Sequence, residues 1–421
     1  MNLSPRRAKA VQFALMVTFF TQGVAALSWI PRIPEFITNL DVSKELWGTI
    51  IGIGSIGALV PLVFTNRLIH RFGTTPIIKF TAVTMCFLFL ALPYPTQWWL
   101  FLTTHFTLSV VISTFNIALN SQAVLFQKRL GKVVIGSLHG AWSIGAASSA
   151  LVTSVIASFT PLKVQMFVIP VVALGLYIWV SRQLLKSSED THGKDKPKEK
   201  SVSWLKSPKY LWFLSIGLFA GMFPELMVMD WSSVYGKEVL HLDAAKAAWP
   251  YTIWVSAMIV GRFSIGRLTK LTSISRLSQI GGFFGAASMA LAIFSSATLA
   301  NSNQDLALFC LCFFFAISGF GISSMVPSFY SAAGNVKGLT TPAALSRMAL
   351  FNSLVVIFAR MLMGSLTERF SLPLAMIFPI VMFVAAGFIS GAVVRRNKAI
   401  ESNQALAYPP TSPIARIDVA D

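Results

Sequence analysis

The chain has 421 residues, of which 55% are hydrophobic and only 12% are charged, and its formal net charge is +18. Soluble domains contain about 25% charged residues, so this composition excludes an ordinary soluble globular protein. It indicates instead that lipid surrounds much of the chain. The positive charge also suits a nucleic-acid-binding protein, so the placement of the basic residues has to be considered first.

Apolar stretches of the length that a bilayer requires recur along the whole chain. They are continuous rather than alternating, so they predict membrane-spanning helices and not barrel strands. The first follows Arg6, Arg7 and Lys9 and is long enough to span, which favours an uncleaved helix over a signal peptide. The predicted spans are residues 10–31, 46–67, 76–94, 98–122, 134–158, 164–184, 210–235, 247–269, 276–297, 305–330, 343–366 and 372–394.

The distribution of lysine and arginine predicts the topology. With the N-terminus in the cytoplasm, 27 of the 34 Lys and Arg residues lie on the cytoplasmic side, 6 lie outside and Arg360 lies within a span. This asymmetry follows the positive-inside rule and predicts a multi-pass protein of the cell membrane with both termini in the cytoplasm. The basic residues border the membrane instead of forming one face, which argues against nucleic acid and favours anionic lipid as their partner.

One long cytoplasmic link predicts a division into two domains. Residues 185–209 contain a mixed-charge, Lys-rich tract without apolar periodicity, which predicts a solvated basic linker. It separates an N-terminal six-helix bundle, residues 1–184, from a C-terminal six-helix bundle, residues 210–394. The polar residues 395–421 predict a disordered cytoplasmic tail.

An internal repeat relates the two bundles. Residues 40–47 and 242–249 both read LDxxKxxW, and Trp29 and Trp231 match at the same offset of 202. Because each half starts on the same side, the repeat predicts two parallel halves related by an axis along the membrane normal. The expected fold class is therefore an all-α membrane protein of twelve helices in two pseudo-symmetric bundles, with substrate bound between them.

Two carboxylates lie in the seventh predicted span. A charged group inside a span costs about 2.5–3.5 kcal/mol on insertion scales, so Glu225 and Asp230 each need a function or a partner. The five-residue spacing corresponds to about 140° around a helix, so both can flank one interior sector. Buried carboxylates can carry protons, which makes them the proton-coupling candidates. Alternatively, either acid is the fixed structural partner of a base such as Arg32 or Arg360.

Arg360 and several amides are candidates for the lining of a substrate cavity. Arg360 binds an anionic group, neutralises Glu225, or lines a water-filled cleft without a specific role, and these alternatives stay open. Asn116 and Asn120 lie one above the other on one helix face, and Gln22 lies in the first span. Amides suit hydroxylated substrates, but they also join helices through hydrogen bonds.

The sequence lacks the signatures of an enzyme, a metal site or a cofactor site. Residues 52–57 fit GxGxxG, but they lie in a span without a preceding strand, which predicts a helix-packing face. The three cysteines lie in apolar runs, and neither His105 nor His139 has ligand spacing around it. We therefore expect no enzymatic activity, no cofactor and no metal.

Four segments have a specific sequence pattern; they are SWIPRIPEF at 28–36, NIALNSQA at 116–123, HGAWSIG at 139–145 and PELMVMDWSSVY at 224–235. They resemble the major facilitator superfamily, and in particular its bacterial YbjJ-like subgroup, which is related to the fucose permeases. The resemblance covers about residues 10–394 and implies the twelve-helix fold and a bacterial cytoplasmic membrane.

By this resemblance, several residues fall on recurring polar positions of the subgroup; they are Arg32, Asn120, His139, Glu225 and Asp230. Asn116 stands where sugar-permease relatives carry a carboxylate, so proton coupling would rest on the seventh span. The substrate-cavity candidates are Gln22, Arg32, Asn116, Asn120, His139 and Arg360.

The loop between the second and third helices departs from the pattern that the resemblance implies. The superfamily usually has G-x-L-x-D-R-x-G-R-R there, whereas residues 66–75 read NRLIHRFGTT, with a histidine in the place of the acid. The departure weakens any claim for the usual conformational latch. The gating-loop candidates are Arg67, His70, Arg71, Gly73 and Arg267.

The leading functional hypothesis is a proton-coupled secondary transporter of a small polar solute, either sugar-like or an anionic metabolite. It would work as a monomer by alternating access. A drug or metabolite efflux antiporter is the alternative, weakened because the fifth span lacks GxxxGPxxGG. A non-transporting membrane sensor or scaffold is an alternative of another class, against which the repeat and the buried charges argue.

Overall fold

The structure is a computed structural model, and it describes residues 4–132, 134–186, 189, 207–336 and 338–407. Helices make up its spans, as the continuous apolar runs predicted. The helices are α1 (Pro5–Leu27), α2 (Ile33–Leu40), α3 (Lys44–Ser55), α4 (Pro61–Phe72), α5 (Thr74–Ala91), α6 (Trp98–Leu130), α7 (Ile135–Ile156), α8 (Leu162–Ser181), α9 (Lys209–Glu238), α10 (Ala244–Leu268), α11 (Ile274–Leu299), α12 (Gln304–Ile322), α13 (Met325–Gly334), α14 (Thr341–Arg369), α15 (Leu372–Ala375) and α16 (Ile377–Ala407).

Three of the twelve spans are built from more than one helix. The second joins α3 and α4 through a 3-10 turn at Ile56–Ala58, and Pro61 then begins α4 because a proline fits the first helical turn. The tenth joins α12 and α13, and Pro327 lies in the first turn of α13, where its missing N–H costs no helical bond. The twelfth joins the short α15 to α16.

The fifth and eighth spans differ from the other ten in one respect. Ten segments of the described chain are long and apolar enough to cross a membrane, and α7 and α10 are not among them. These two helices have 22 and 25 residues. At a rise of about 1.5 Å per residue they still match a hydrocarbon core of about 30 Å. The predicted twelve-helix fold is confirmed, and α7 and α10 pack against each other between the halves.

We call the end of the bundle where α1 begins and α16 ends the terminal end. The opposite end, which carries the links 28–43 and 239–243, is the far end. At the terminal end, α16 continues to Ala407, so the prediction of a disordered tail from residue 395 is wrong for its first part. Residues 408–421 lie outside the described residues, as does most of the predicted linker at 185–209.

The start of the linker is held against the N-terminal half. Arg7 donates to the carbonyl oxygens of Gln183 and Leu184, at 2.7 Å each, and pairs with Glu189 at 2.8 Å. Thr75 donates to the carbonyl oxygen of Leu185. The chain that leaves α8 is thus attached to α1 and α5 before it crosses to α9.

The halves meet mainly through two helix pairs, α3 with α14 and α7 with α10, and α2 also contacts α9. α3 and α10 start the second span of each half, and α7 and α14 form the fifth. Exchanging the halves therefore converts one pair into the other, as expected for an axis along the membrane normal. The two contacts are equivalent positions of one pseudo-symmetric interface.

Glycines bring α3 and α14 into backbone contact. A β-carbon at Gly48 would lie 2.7 Å from the carbonyl oxygen of Arg360 and from the α-carbon of Gly364. Small residues allow this close approach between helices in membranes. Gly52 packs in the same way against the carbonyl oxygen of Ile357, which agrees with the helix-packing interpretation of residues 52–57.

The repeated LDxxKxxW segment begins a helix at two different registers. In the first copy Ser43, its fourth residue, caps α3 by accepting from the N–H of Leu46. In the second copy Asp243, its second residue, caps α10. Trp47 is consequently fully buried whereas Trp249 is 46% exposed. The repeat marks equivalent links but not equivalent side-chain environments.

Candidate functional site

A cavity of about 80 Å³ lies between the two halves. The N-terminal half contributes α1 and α7 to its walls, and the C-terminal half contributes α9 and α10. Its aromatic lining consists of Trp142, Tyr251 and Trp254, and its charged lining consists of Glu225 and Arg262. The cavity therefore combines flat apolar walls with one acid and one base.

α9 carries both candidate acids and directs them to different neighbours. The helix runs without interruption although Pro224 lies inside it, which membrane helices tolerate when they are packed among others. Glu225 lies in the cavity between the halves, whereas Asp230 is 3% exposed and lies among the packed helices. A difference of about 140° around the helix accounts for the two environments.

Glu225 pairs with Arg262 of α10. The Nη2 atom of Arg262 lies 3.3 Å from Oε2 and 3.5 Å from Oε1 of Glu225. The side chains keep 34% and 28% exposure, so both groups are open to water in the cavity. Both N···O distances are longer than those of a typical charge-assisted hydrogen bond, which are about 2.7–2.9 Å.

Asp230 pairs with Arg360 of α14 in a tighter arrangement. Nε of Arg360 lies 2.8 Å from Oδ2, and Nη2 lies 3.3 Å from Oδ1. The Nη1 atom of Arg360 also donates to the hydroxyl of Ser55 on α3. Arg360 thus neutralises Asp230 rather than Glu225, and it connects the C-terminal half to the N-terminal half.

A second cavity, of about 390 Å³, adjoins the first toward the terminal end. His139 and Gly140 from the start of α7 line it together with Phe263 of α10. Trp142 and Arg262 line both cavities and so form part of their common wall. His139 is exposed, its ring packs edge-on against Phe19 at 5.2 Å, and it lines this second cavity.

Polar contacts between the halves cluster at the far end, and we call them the far-end contacts. They join Thr38 with Lys237, Lys44 with Glu238 and Glu368, and Glu45 with Ser365 and Arg369. The strongest of them has Nζ of Lys44 2.7 Å from Oε2 of Glu238. The far end is thereby closed, whereas the second cavity lies toward the terminal end.

The remaining amide candidates lie away from the two cavities' charged walls. Asn120 donates through Nδ2 to the carbonyl oxygen of Asn116 at 2.9 Å, and both side chains are half-buried on α6. Gln22 is 3% exposed on α1. The structure does not bring these three residues together with Glu225 and Arg262.

Arg32 is a buried member of a polar network at the far end of the N-terminal half. Its guanidinium is 1% exposed and pairs with Glu35 through Nη2 at 2.8 Å. It also donates to Oε1 of Gln165 at 2.8 Å and to the carbonyl oxygen of Thr160 at 3.0 Å. These acceptors satisfy its donors inside one half, so the arrangement is that of a structural arginine.

The gating-loop candidates lie on the surface at the terminal end. Arg67, His70 and Arg71 of α4 are exposed, as is Arg267 of α10. Gly73 joins α4 to α5 with φ of 82°, a conformation that favours glycine. They therefore lie at the end of the bundle opposite the far-end contacts.

Sequence reasoning missed Arg262. The count of basic residues assigned it to the cytoplasmic side because it lies near the end of the eighth span, yet it lies six residues inside the end of α10. The sequence did contain a signal for Arg262, because it lies within the apolar run of the eighth span. The aromatic walls carried no comparable signal, since Trp142, Tyr251 and Trp254 look like ordinary core or interface residues in the sequence.

Comparisons with known proteins agree with this architecture. The family model described as Major Facilitator Superfamily matches residues 13–338. The chain is similar to an uncharacterized MFS-type transporter of Yersinia pestis, with 24% identity over 374 residues that cover 82% of this chain and 91% of the relative.

Two solved structures share the fold at low sequence identity. The nucleoside transporter NupG aligns with a TM-score of 0.72 and 12% identity, over 91% of this chain and 99% of that protein. The fucose:proton symporter FucP of E. coli aligns with a TM-score of 0.58 and 14% identity, over 91% and 98%. Because the family model matches most of its length, the chain belongs to the major facilitator superfamily.

Proposed function

We propose that this protein is a proton-coupled secondary transporter that moves a small polar solute across the bacterial cytoplasmic membrane by alternating access. The observation that carries the proposal is the Glu225–Arg262 pair, which lies in a water-accessible cavity between the halves. A carboxylate inside a membrane is costly unless it is paired or protonated. Glu225 therefore has two states available, one paired with Arg262 and one carrying a proton.

The proposed orientation follows from the distribution of basic residues, which favours a cytoplasmic terminal end. With this orientation the far-end contacts close the outer side, and the second cavity faces the cytoplasm. The described conformation is then the inward-facing member of an alternating-access pair. The solute, protons and the surrounding anionic lipid are the expected partners, and the monomer is the functional unit.

Rocking of the halves has different consequences for the two ion pairs. Asp230 and Arg360 both belong to the C-terminal half, so their pair persists while the bond from Arg360 to Ser55 of the other half breaks. Glu225 and Arg262 also belong to the C-terminal half, but they line the space that opens and closes. We therefore assign proton loading and release to Glu225, and charge neutralisation within the C-terminal half to Asp230.

The mechanism has one proton and one solute per cycle. In the outward-facing state Glu225 takes a proton and the solute enters between the halves. Closure of the far end then restores the Lys44–Glu238 contact and exposes the solute to the second cavity. Release of the proton to the cytoplasm lets Glu225 pair again with Arg262.

The test begins with thermal-shift screening of the purified protein against metabolites, because a ligand that binds the folded state raises Tm. Uptake of the hit into proteoliposomes is then measured with and without a pH gradient. Glu225→Gln should keep counterflow and lose gradient-driven accumulation. The matched control is Asp305→Asn, which removes an acid with 84% side-chain exposure and should behave as the wild type. Full gradient-driven accumulation by Glu225→Gln would refute the proposed role of this residue.

A further inference from the structure

We infer that the solute carries a carboxylate on a ring-shaped body, and that this carboxylate replaces Glu225 as the partner of Arg262. The inference rests on the proposed transport function and specifies the substrate class of the same site. It depends on the geometry of Arg262, on its place between the two cavities and on the aromatic walls beside it.

Arg262 holds Glu225 loosely. Within the described part of the chain its hydrogen bonds go to Glu225 through Nη2 alone, at 3.3 and 3.5 Å. A guanidinium has five N–H donors in a fork that matches a carboxylate in bidentate geometry. In the Arg360–Asp230 pair, by contrast, donors on Nε and Nη2 both engage the acid. Arg262 therefore has donors left for a second carboxylate.

The position of Arg262 puts it on the path of a solute. It lines the cavity between the halves and the second cavity toward the terminal end, and Trp142 and Ile259 share this common wall. A solute that moves from the first cavity to the second has to pass the guanidinium. The Arg360–Asp230 pair lines neither cavity and has no comparable access.

Charge balance favours an anionic solute. When Glu225 takes a proton, Arg262 is left as an unpaired cation within the membrane, which is costly. The titratable and charged groups around Glu225 are Arg262 and Tyr251 of α10, Asp230 of its own helix with Arg360 of α14, and His139 of α7 in the adjoining cavity. Asp230 and Arg360 neutralise each other, so they leave the charge on Arg262 uncompensated.

A solute carboxylate supplies the missing negative charge. The cavity then holds a protonated Glu225, the Arg262 cation and one solute anion, and its net charge equals that of the empty Glu225–Arg262 pair. A neutral sugar would leave the guanidinium unpaired, and a cationic solute would be repelled by it. Entry of one proton with one monocarboxylate is therefore electroneutral.

The aromatic walls favour a ring-shaped body. Trp142 from the N-terminal half lines the same cavity as Tyr251 and Trp254 from the C-terminal half. Aromatic side chains contact rings through offset-stacked or edge-to-face packing, which adds about 0.5–1.5 kcal/mol per pair to burial. A short aliphatic acid would satisfy Arg262 but would leave these walls without contact.

The test measures equilibrium binding to the full-length protein in lipid nanodiscs by calorimetry. The ligands are benzoate, its neutral isostere benzamide, and acetate, which has the carboxylate without the ring. Benzoate should bind at least tenfold more tightly than benzamide and than acetate, where tenfold corresponds to about 1.4 kcal/mol. Glu225→Gln removes the competing acid and should tighten benzoate binding about tenfold. Arg262→Gln should weaken it at least tenfold and abolish the preference over benzamide.

Controls separate these effects from misfolding and from general loss of charge. Lys270→Gln removes an exposed cation just beyond the end of α10 and should leave benzoate binding unchanged. Arg262→Lys keeps the charge without the fork and should restore part of the preference. Each variant is compared with the wild type by Tm, so that a destabilised preparation is recognised.

Several outcomes would overturn the inference. Equal binding of benzamide and benzoate would refute the carboxylate, and equal binding of acetate and benzoate would refute the ring. Weaker binding of benzoate to Glu225→Gln would refute the exchange of partners on Arg262. Failure of benzoate to bind both the wild type and Glu225→Gln would overturn the inference as a whole. In each of these cases the proposed transport function is tested separately. It would still hold if a pH gradient drives transport of a neutral solute and this transport requires Glu225.

Discussion

Arg360 and Asp230 form an ion pair with Nε 2.8 Å from Oδ2, and their side chains are only 12% and 3% exposed. Both residues belong to the C-terminal half, on α14 and α9. Arg360 also donates to Ser55 of the N-terminal half, so one guanidinium joins an acid of its own half and a hydroxyl of the other half. The same residue therefore pairs with a buried acid and connects the two halves.

Removing one member of this pair should destabilise the protein strongly. Asp230→Asn or Arg360→Gln leaves a buried charge without its partner, which costs about 3–5 kcal/mol. The double variant Asp230→Asn with Arg360→Gln should lose less stability than the sum of the two single variants. The measurement is Tm of the purified variants in one detergent.

The exposed Lys246–Asp305 pair provides the comparison, with side-chain exposures of 45% and 84%. Exposed pairs contribute about 0–1 kcal/mol, so Lys246→Gln should change Tm little. Additive losses in the Asp230–Arg360 double variant would show that the two residues do not stabilise each other.

A methyl group at Gly48 should favour opening of the far end. The β-carbon of Gly48→Ala would lie 2.7 Å from the backbone of α14, so α3 and α14 have to separate. Spin labels at the exposed positions Asn39 and Ser371 report the distance between the halves, after replacement of the natural cysteines. We expect a larger fraction of long distances than in the parent protein.

Gly175→Ala on α8 is the control, because nothing lies within 4 Å of the position that its β-carbon would take. It should leave the distance distribution between the two spin labels unchanged. An unchanged distribution for Gly48→Ala would mean that the helices accommodate the methyl group without separating.

Removing the charge of Lys44 should also shift the protein toward an open far end. Lys44 pairs with Glu238 of the other half, with side-chain exposures of 27% and 39%. A pair this accessible contributes about 0.2–1 kcal/mol, so Lys44→Gln should change the open-to-closed ratio by up to about fivefold. The same spin-label distance measures it, and added salt should reduce the difference from the parent protein. If neither Lys44→Gln nor added salt changes the closed population, the Lys44–Glu238 contact does not hold the far end closed.

Arg32→Gln should lower stability without changing the solute site. Arg32 is buried and donates to Glu35, Gln165 and the carbonyl oxygen of Thr160, all within the N-terminal half. Its removal leaves Glu35 without its partner at the far end and should lower Tm substantially. The folded fraction should bind the screened solute with unchanged Kd, and a Kd raised tenfold would instead support the role in the substrate cavity that the sequence suggested.

The Arg7–Glu189 pair predicts a small dependence of stability on pH. The hydrogen bond from Arg7 lowers the pKa of Glu189 below its ordinary range, more than burial raises it. A carboxyl whose pKa is lowered on folding stabilises the protein above its unfolded pKa, and this contribution is lost as the pH falls through the folded value. Glu189→Gln should therefore lower stability by up to about 1 kcal/mol at pH 7.

The variant and the wild type should converge in Tm as the pH falls below the lowered folded-state pKa of Glu189, where this residue is protonated in both folded and unfolded chains. Lys186→Gln, which removes a neighbouring exposed charge, should show a pH dependence like that of the wild type. A difference between Glu189→Gln and the wild type that persists at low pH would mean that Glu189 acts through packing rather than charge.

The spans and their number could be predicted from the sequence because the bilayer constrains them physically. A bilayer demands about 20 apolar residues per helix and satisfies no backbone group, so apolar runs mark helices directly. The helix ends were less predictable, since α16 continues past residue 394 into a polar segment that no bilayer constrains. The repeated LDxxKxxW located equivalent links, but the cap at Ser43 in one copy and at Asp243 in the other changed the environment of the tryptophans.

The sequence by itself identified three of the residues that bring charge into the membrane, because Glu225, Asp230 and Arg360 interrupt apolar runs. Only the tertiary structure decided which acid pairs with which base. Glu225 meets Arg262 and Asp230 meets Arg360 because of how α9 is rotated against α10 and α14, which lie far along the chain. Apolar length is a local property that the bilayer imposes, whereas the pairing of charges depends on helix packing. That packing brought the missed Arg262 into the cavity and buried Arg32 outside it.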